Sequence, residues 1–123
     1  FSASTVGGTS WDTQLFLFRA DGVGVLSEDD STGLQTTLQN TAVVTATGPH
    51  YLAISRYNSD PRDELNQALW TADNNTAPNG PGAANAIASW TGTTAAAGPY
   101  AIAMTGVCYS SGGTPNSAKE PTK

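Results

Sequence analysis

The chain has 123 residues, of which only 12% are charged, and its 5 basic against 10 acidic residues leave a net charge of −5. That length allows a single domain with a modest core. The acidic balance excludes nucleic acid and anionic membrane surfaces as partners, since both need lysine and arginine, and no stretch approaches the roughly 20 apolar residues of a membrane insertion.

The charged fraction is about half the usual value, and Gly, Ala, Thr, Ser and Asn abound instead. Such a composition is typical of exported surface proteins. No signal peptide is legible, so a mature secreted or cell-surface chain is expected. Cys108 is the sole cysteine and cannot form an internal disulfide. Stability is therefore expected from packing, a bound ion or neighbouring chains, with Cys108 a small apolar residue at a strand end.

In chain order, Phe1 to Val6 alternates weakly and predicts a strand that ends at Gly7-Gly8. Asp12 to Arg19 is the best strand: Leu15 and Leu17 face one way, Phe16 and Phe18 the other. A strand apolar on both faces belongs in the middle of a packed sheet. Asp21-Gly22 predicts a tight two-residue hairpin turn, after which Val23 to Leu26 returns along the first strand. Leu34 to Thr47 is expected to hold one or two Thr/Val-rich strands, and His50 to Ser55 another, with Leu52 and Ile54 inward.

Asp60-Pro61-Arg62-Asp63-Glu64-Leu65 predicts one short helix, with Asp60 as cap, Pro61 in the first turn, and Leu65 and Leu69 four apart. Thr71 to Ala84 reads as loop, Ala86 to Trp90 as a brief pairing, and Gly98 to Met104 as the last good strand, with Tyr100, Ile102 and Met104 on one face. Short strands separated by turn signals indicate an all-β fold, an antiparallel β-sandwich or jelly roll, over residues 1–106. Residues 107–123 read as a polar C-terminal tail that is mobile unless another chain holds it.

The hairpin places Asp12 beside Asp30 at its open end, with Asp29 and Glu28 close by. Carboxylates crowded in this way repel unless neutralised. One reading is a structural calcium site built from Asp12, Asp29 and Asp30, completed by carbonyls and water. The other is ordinary turn chemistry, with each Asp bonded to nearby amides. Asp21 reads as a turn former, and Asp60, Asp63 and Glu64 as capping residues. The only histidine, His50, lies in no Ser-His-Asp or Cys-His pattern, and Ser55 in no nucleophile elbow, so no enzyme is expected. Trp11, Trp70, Trp90, Tyr57 and Tyr109 are either core anchors or, if exposed together, a sugar-stacking surface. Asn74-Asn75-Thr76 fits an N-glycosylation acceptor at Asn74 in an exposed loop.

Asp12-Thr13-Gln14-Leu15-Phe16-Leu17-Phe18, Asp21-Gly22, Asp29-Asp30 and Tyr51-Leu52-Ala53-Ile54-Ser55 together resemble bacterial pre-peptidase C-terminal-like (PPC) β-sandwich domains, closest to variants in exported proteins with PEP-CTERM sorting signals. Trp90-Thr91-Gly92, Gly98-Pro99-Tyr100-Ala101-Ile102 and Thr105-Gly106 look like that group's closing strands. The resemblance implies a non-catalytic domain, secreted or on a bacterial cell surface, and supports a cation at Asp12, Asp29 and Asp30. Two features depart from it: family members usually carry one or two strands before the segment that starts here at Phe1, and no PEP sorting signal follows Gly106. A sandwich short of its opening strand leaves an edge ready for donor-strand completion. The resulting expectation is an exported structural subunit that joins copies of itself by strand exchange, as in a filament. A carbohydrate-binding or accessory module is the alternative.

Overall fold

A computed structural model describes residues 1–39, 43–44 and 47–108. Tyr109, most of the polar tail and the middle of the Thr/Val-rich run lie outside the described residues. The described chain is all-β: β1 (Ser2–Ser4), β2 (Thr13–Arg19), β3 (Gly24–Glu28), β4 (Thr37–Leu38), β5 (His50–Arg56), β6 (Pro61–Arg62), β7 (Asn74–Thr76), β8 (Ser89–Trp90) and β9 (Ala103–Thr105). Every pairing is antiparallel, in sheets ordered β4-β1-β9, β5-β2-β3-β7 and β6-β8.

β2 is central because both of its faces are apolar, and both are covered. Leu15 and Leu17 join Ala3 of β1, Leu26 of β3 and Leu38 of β4 in one cluster, against which Leu52, Ile54, Ile102 and Met104 pack. This cluster joins the three-stranded and four-stranded sheets as a sandwich. Phe16 and Phe18 point the other way, into a second cluster with Leu69 and Trp70. Their rings meet those of Trp70 and Trp90 at centroid separations of 5.4–6.3 Å, mostly edge-on. The loop-rich segment from β6 to β8 thus forms a third layer over the outer face of the main sheet.

Gln14 ties that layer to β2. Buried to 2% exposure, it donates to Ser55 Oγ, Ser59 O and Asp60 Oδ1 and accepts from the Asn58 amide. A polar side chain at that depth is tolerated because both ends of its amide have partners.

The hairpin between β2 and β3 forms where Asp21-Gly22 places it, but its loop is three residues long. The Gly22 amide donates to Arg19 O, and the Arg19 amide donates to Val23 O. Gly22 alone takes the left-handed conformation, at φ +88°. Asp21 shapes the turn as expected, accepting from the Val23 amide and pairing with Arg19 at 2.6 Å.

Three further sequence expectations are corrected. No helix forms at Asp60–Leu69: Pro61–Arg62 is a strand, and the Asp63 carboxylate accepts the amides of Leu65 and Gln67, closing a turn. Asn66 takes φ +61°, which a helix forbids, leaving Leu65 75% exposed and Leu69 buried. Thr71–Ala84 is not all loop, since Asn74–Thr76 pairs with β3 as an edge strand. The last strand is shorter than expected, with regular pairing to β1 only over Ala103–Thr105. Residues 91–102 cross without strand pairing, held by contacts such as Trp11 Nε1 to Pro99 O and the Ala101 amide to Gly8 O.

Candidate cation site

The hairpin's register decides what gathers at its open end. Leu15 stands opposite Glu28 and Leu17 opposite Leu26, so the chain just before Thr13 meets the chain just after Glu28. The loop that follows folds back tightly: Ser31 and Thr32 donate to Gln35 O, Gln35 donates to Thr32 O, and Gly33 sits at φ +60°. The Thr13 amide then takes Leu34 O, while Thr36 Oγ1 donates to Asp29 O. These bonds pin Asp12, Asp29 and Asp30 together, and carboxylate oxygens of all three lie within 4.8 Å of one another.

The electrostatics follow from that crowding. Burial, and then the charge of Asp30, raises the Asp12 pKa above its ordinary value. Burial together with Asp30, Asp12 and Asp73 pushes Asp29 up to about 7. Asp12 Oδ1 and Asp29 Oδ1 are both buried without a hydrogen-bond partner. Among the described residues no amide reaches either of those two oxygens. An all-oxygen set of three carboxylates with unsatisfied inward atoms fits a hard divalent cation such as calcium.

The remaining acids have other tasks. Glu28 turns away from the triad: it accepts from the Asp29 amide, Ser31 Oγ and Asn75 Nδ2. Asp73, which no sequence motif marks, accepts from Ser27 Oγ and gives its carbonyl to the Asp29 amide. Its own pKa is raised, first by burial. Asp73 comes close enough to act on the charge of Asp29 only because β7 adds to β3, a pairing with no local signature. Asp60 binds the Gln14 amide, and Asp63 its own loop and Asn85.

His50 opens β5 at the end of the strand away from the triad, its Nδ1 2.9 Å from Gly48 O and its Nε2 buried without a partner. Asn74 is exposed, on edge strand β7 rather than in a loop. Among the aromatic residues, Trp70 is buried at 6%, and Tyr57 is exposed but stands outside the open groove beside the end of β5. That open groove, about 370 Å³, is lined by Trp11, Trp90 and Tyr100 beside Arg56. By its sequence pattern Tyr100 marks only a strand.

No known family, curated protein or solved structure matches the chain.

Proposed function

We propose that this chain is an exported, non-catalytic structural subunit of a bacterial extracellular or cell-surface assembly, extended by strand exchange between copies and stabilised by calcium at Asp12, Asp29 and Asp30. The charge-poor composition and the resemblance to PPC-like domains support export. The unpartnered inward oxygens of Asp12 and Asp29 support the cation.

The observation that carries the assembly reading is the edge of β5. All seven residues of β5 are in register with β2. The bond from the Tyr57 amide to Asp12 O makes that opposed pair a hydrogen-bonded one, so parity turns the backbone groups of Leu52 and Ile54 outward. Among the described residues no backbone bond reaches those outward groups. The other edge strands are only two or three residues long, the usual protection against edge pairing. β5 carries no proline and no acid, and Tyr51 on it is 54% exposed. An added strand from another copy satisfies such a row directly, and a head-to-tail contact of this kind propagates into fibres when it does not close.

The test is light scattering and electron microscopy of the purified chain with calcium. Association, with regular particles or filaments, is expected for the wild type. Tyr51→Lys, which charges the edge, should give monomers, and Leu65→Lys, on the exposed Asp63 turn, should not. A wild type that stays monomeric at high concentration refutes the assembly.

A further inference from the structure

The groove between the C-terminal end of β5 and residues 97–100 is built in a way that strand exchange does not require. Its walls carry Trp11, Trp90 and Tyr100, with Arg56, Ser55 and Ser59 between them. Two of the three aromatic walls are held in place. The Trp11 indole N–H donates to Pro99 O at 2.9 Å, and Trp90 stands edge-on to Phe16 and Phe18, at 71° and 86°. Trp90 nevertheless remains 39% exposed and Tyr100 56%. Rigid, half-exposed aromatic surfaces lose little entropy when a ligand covers them.

The charge of the groove differs from that of the molecule. The chain has 10 acidic residues, yet none lines this groove. Arg56 does, and its only described polar contact is Nη1 to Ala95 O at 3.1 Å, leaving it without a carboxylate partner. A guanidinium in this position presents further N–H donors to a planar anionic group. Ser59 Oγ donates to Thr91 O and keeps its acceptor lone pairs, while Ser55 Oγ donates to Ser59 O, accepts from Gln14 Nε2 and keeps one.

We propose that this groove binds an acidic oligosaccharide, a uronate-containing glycan chain. The apolar faces of its pyranose rings lie on Trp11, Trp90 and Tyr100, and one sugar carboxylate meets Arg56. The open shape suits a chain that enters and leaves at both ends. A small apolar ligand needs enclosure instead, and a neutral sugar leaves Arg56 unused. This assignment does not depend on the assembly reading.

The experiment is tryptophan fluorescence titration of the full chain with oligogalacturonate, with a neutral cello-oligosaccharide in parallel. Saturable quenching by oligogalacturonate is expected. Tyr100→Ala and Arg56→Gln should each weaken it by roughly tenfold or more, as loss of a stacking platform or a charge-assisted contact does. Both side chains are exposed, so far-ultraviolet circular dichroism should match the wild type. No saturable response, or one unchanged by both variants, overturns the proposal. Equal binding of the neutral sugar with no effect of Arg56→Gln overturns the acidic class. Quenching on self-association alone makes the groove a protein contact and also defeats it.

Discussion

At the residue scale, Asp29 sets the pH response of the hairpin end. Burial and its acidic neighbours hold its folded pKa at about 7, against about 3.9 in an unfolded chain. Between those values the folded chain keeps a proton that the unfolded chain has released. In chelated protein, the contribution of Asp29 to stability is therefore most favourable below about pH 4, falls as pH rises, and carries its full cost above about pH 7. Asp29→Asn should flatten this loss and gain about 1–2 kcal/mol at pH 8, less than the whole shift because solvent screens a partly open site. Calcium should raise the wild-type Tm strongly at pH 8, little at pH 5, and little at any pH in Asp29→Asn. Thermal melts with and without chelator measure all three, and identical curves would remove the cation. A second residue-scale prediction concerns Gly24, where a Cβ would stand 2.4 Å from Trp70 Cη2 and 2.9 Å from Pro78 Cγ. Gly24→Ala should lower stability by about 1–3 kcal/mol through overpacking, while Gly92→Ala, facing open space, should stay within about 0.5 kcal/mol. Urea midpoints separate the two.

At the element scale, β2 holds the molecule together because it alone among the described strands supplies fully buried residues to both clusters, β5 adding only partly buried ones. Phe16→Ala should cost about 3–5 kcal/mol. It should also dim the near-ultraviolet circular dichroism of the tryptophans, whose rings lie 5.4 and 5.5 Å from Phe16. An unchanged aromatic signal would mean that the third layer does not rest on this strand. β2 was legible in the sequence because Leu15/Leu17 and Phe16/Phe18 alternate over seven residues and need no distant partner to reveal their faces. The Asp60–Leu69 segment was not. Its capping signals are real, but Asp63 spends its carboxylate on a turn, and Leu69 is recruited by the Phe16–Phe18 face. Burial against a distant strand outweighs the weak propensity of a short helix.

At the scale of the whole molecule, the two proposed surfaces answer to different forces. Strand addition along β5 rests on backbone bonds and apolar contact, whereas the groove's selectivity rests on Arg56. Raising salt from about 0.05 to about 0.5 M should weaken oligogalacturonate binding by screening and leave self-association nearly unchanged. Titrations and light scattering at the two salt levels test this, and a parallel loss of both would tie them to one charged surface. Ile54 to Arg56 border the groove and also end the free edge. A glycan seated there and a strand added there therefore compete, and saturating oligogalacturonate should slow association.

The sequence by itself determined the all-β class, the central strand, the hairpin and the gathering of Asp12, Asp29 and Asp30. Each of these depends on alternation or on distance from one turn, and both are local properties. The tertiary structure alone decided the rest. Asp73 comes close enough to act on the charge of Asp29 by the pairing of β7 with β3, and β5 is left as an edge in the order of the described strands. Trp11, Trp90 and Tyr100 line one groove because residues 91–102 pass from one layer to another. These are contacts between segments far apart in the chain, chosen by which surfaces bury one another, and no window of neighbouring residues carries that information.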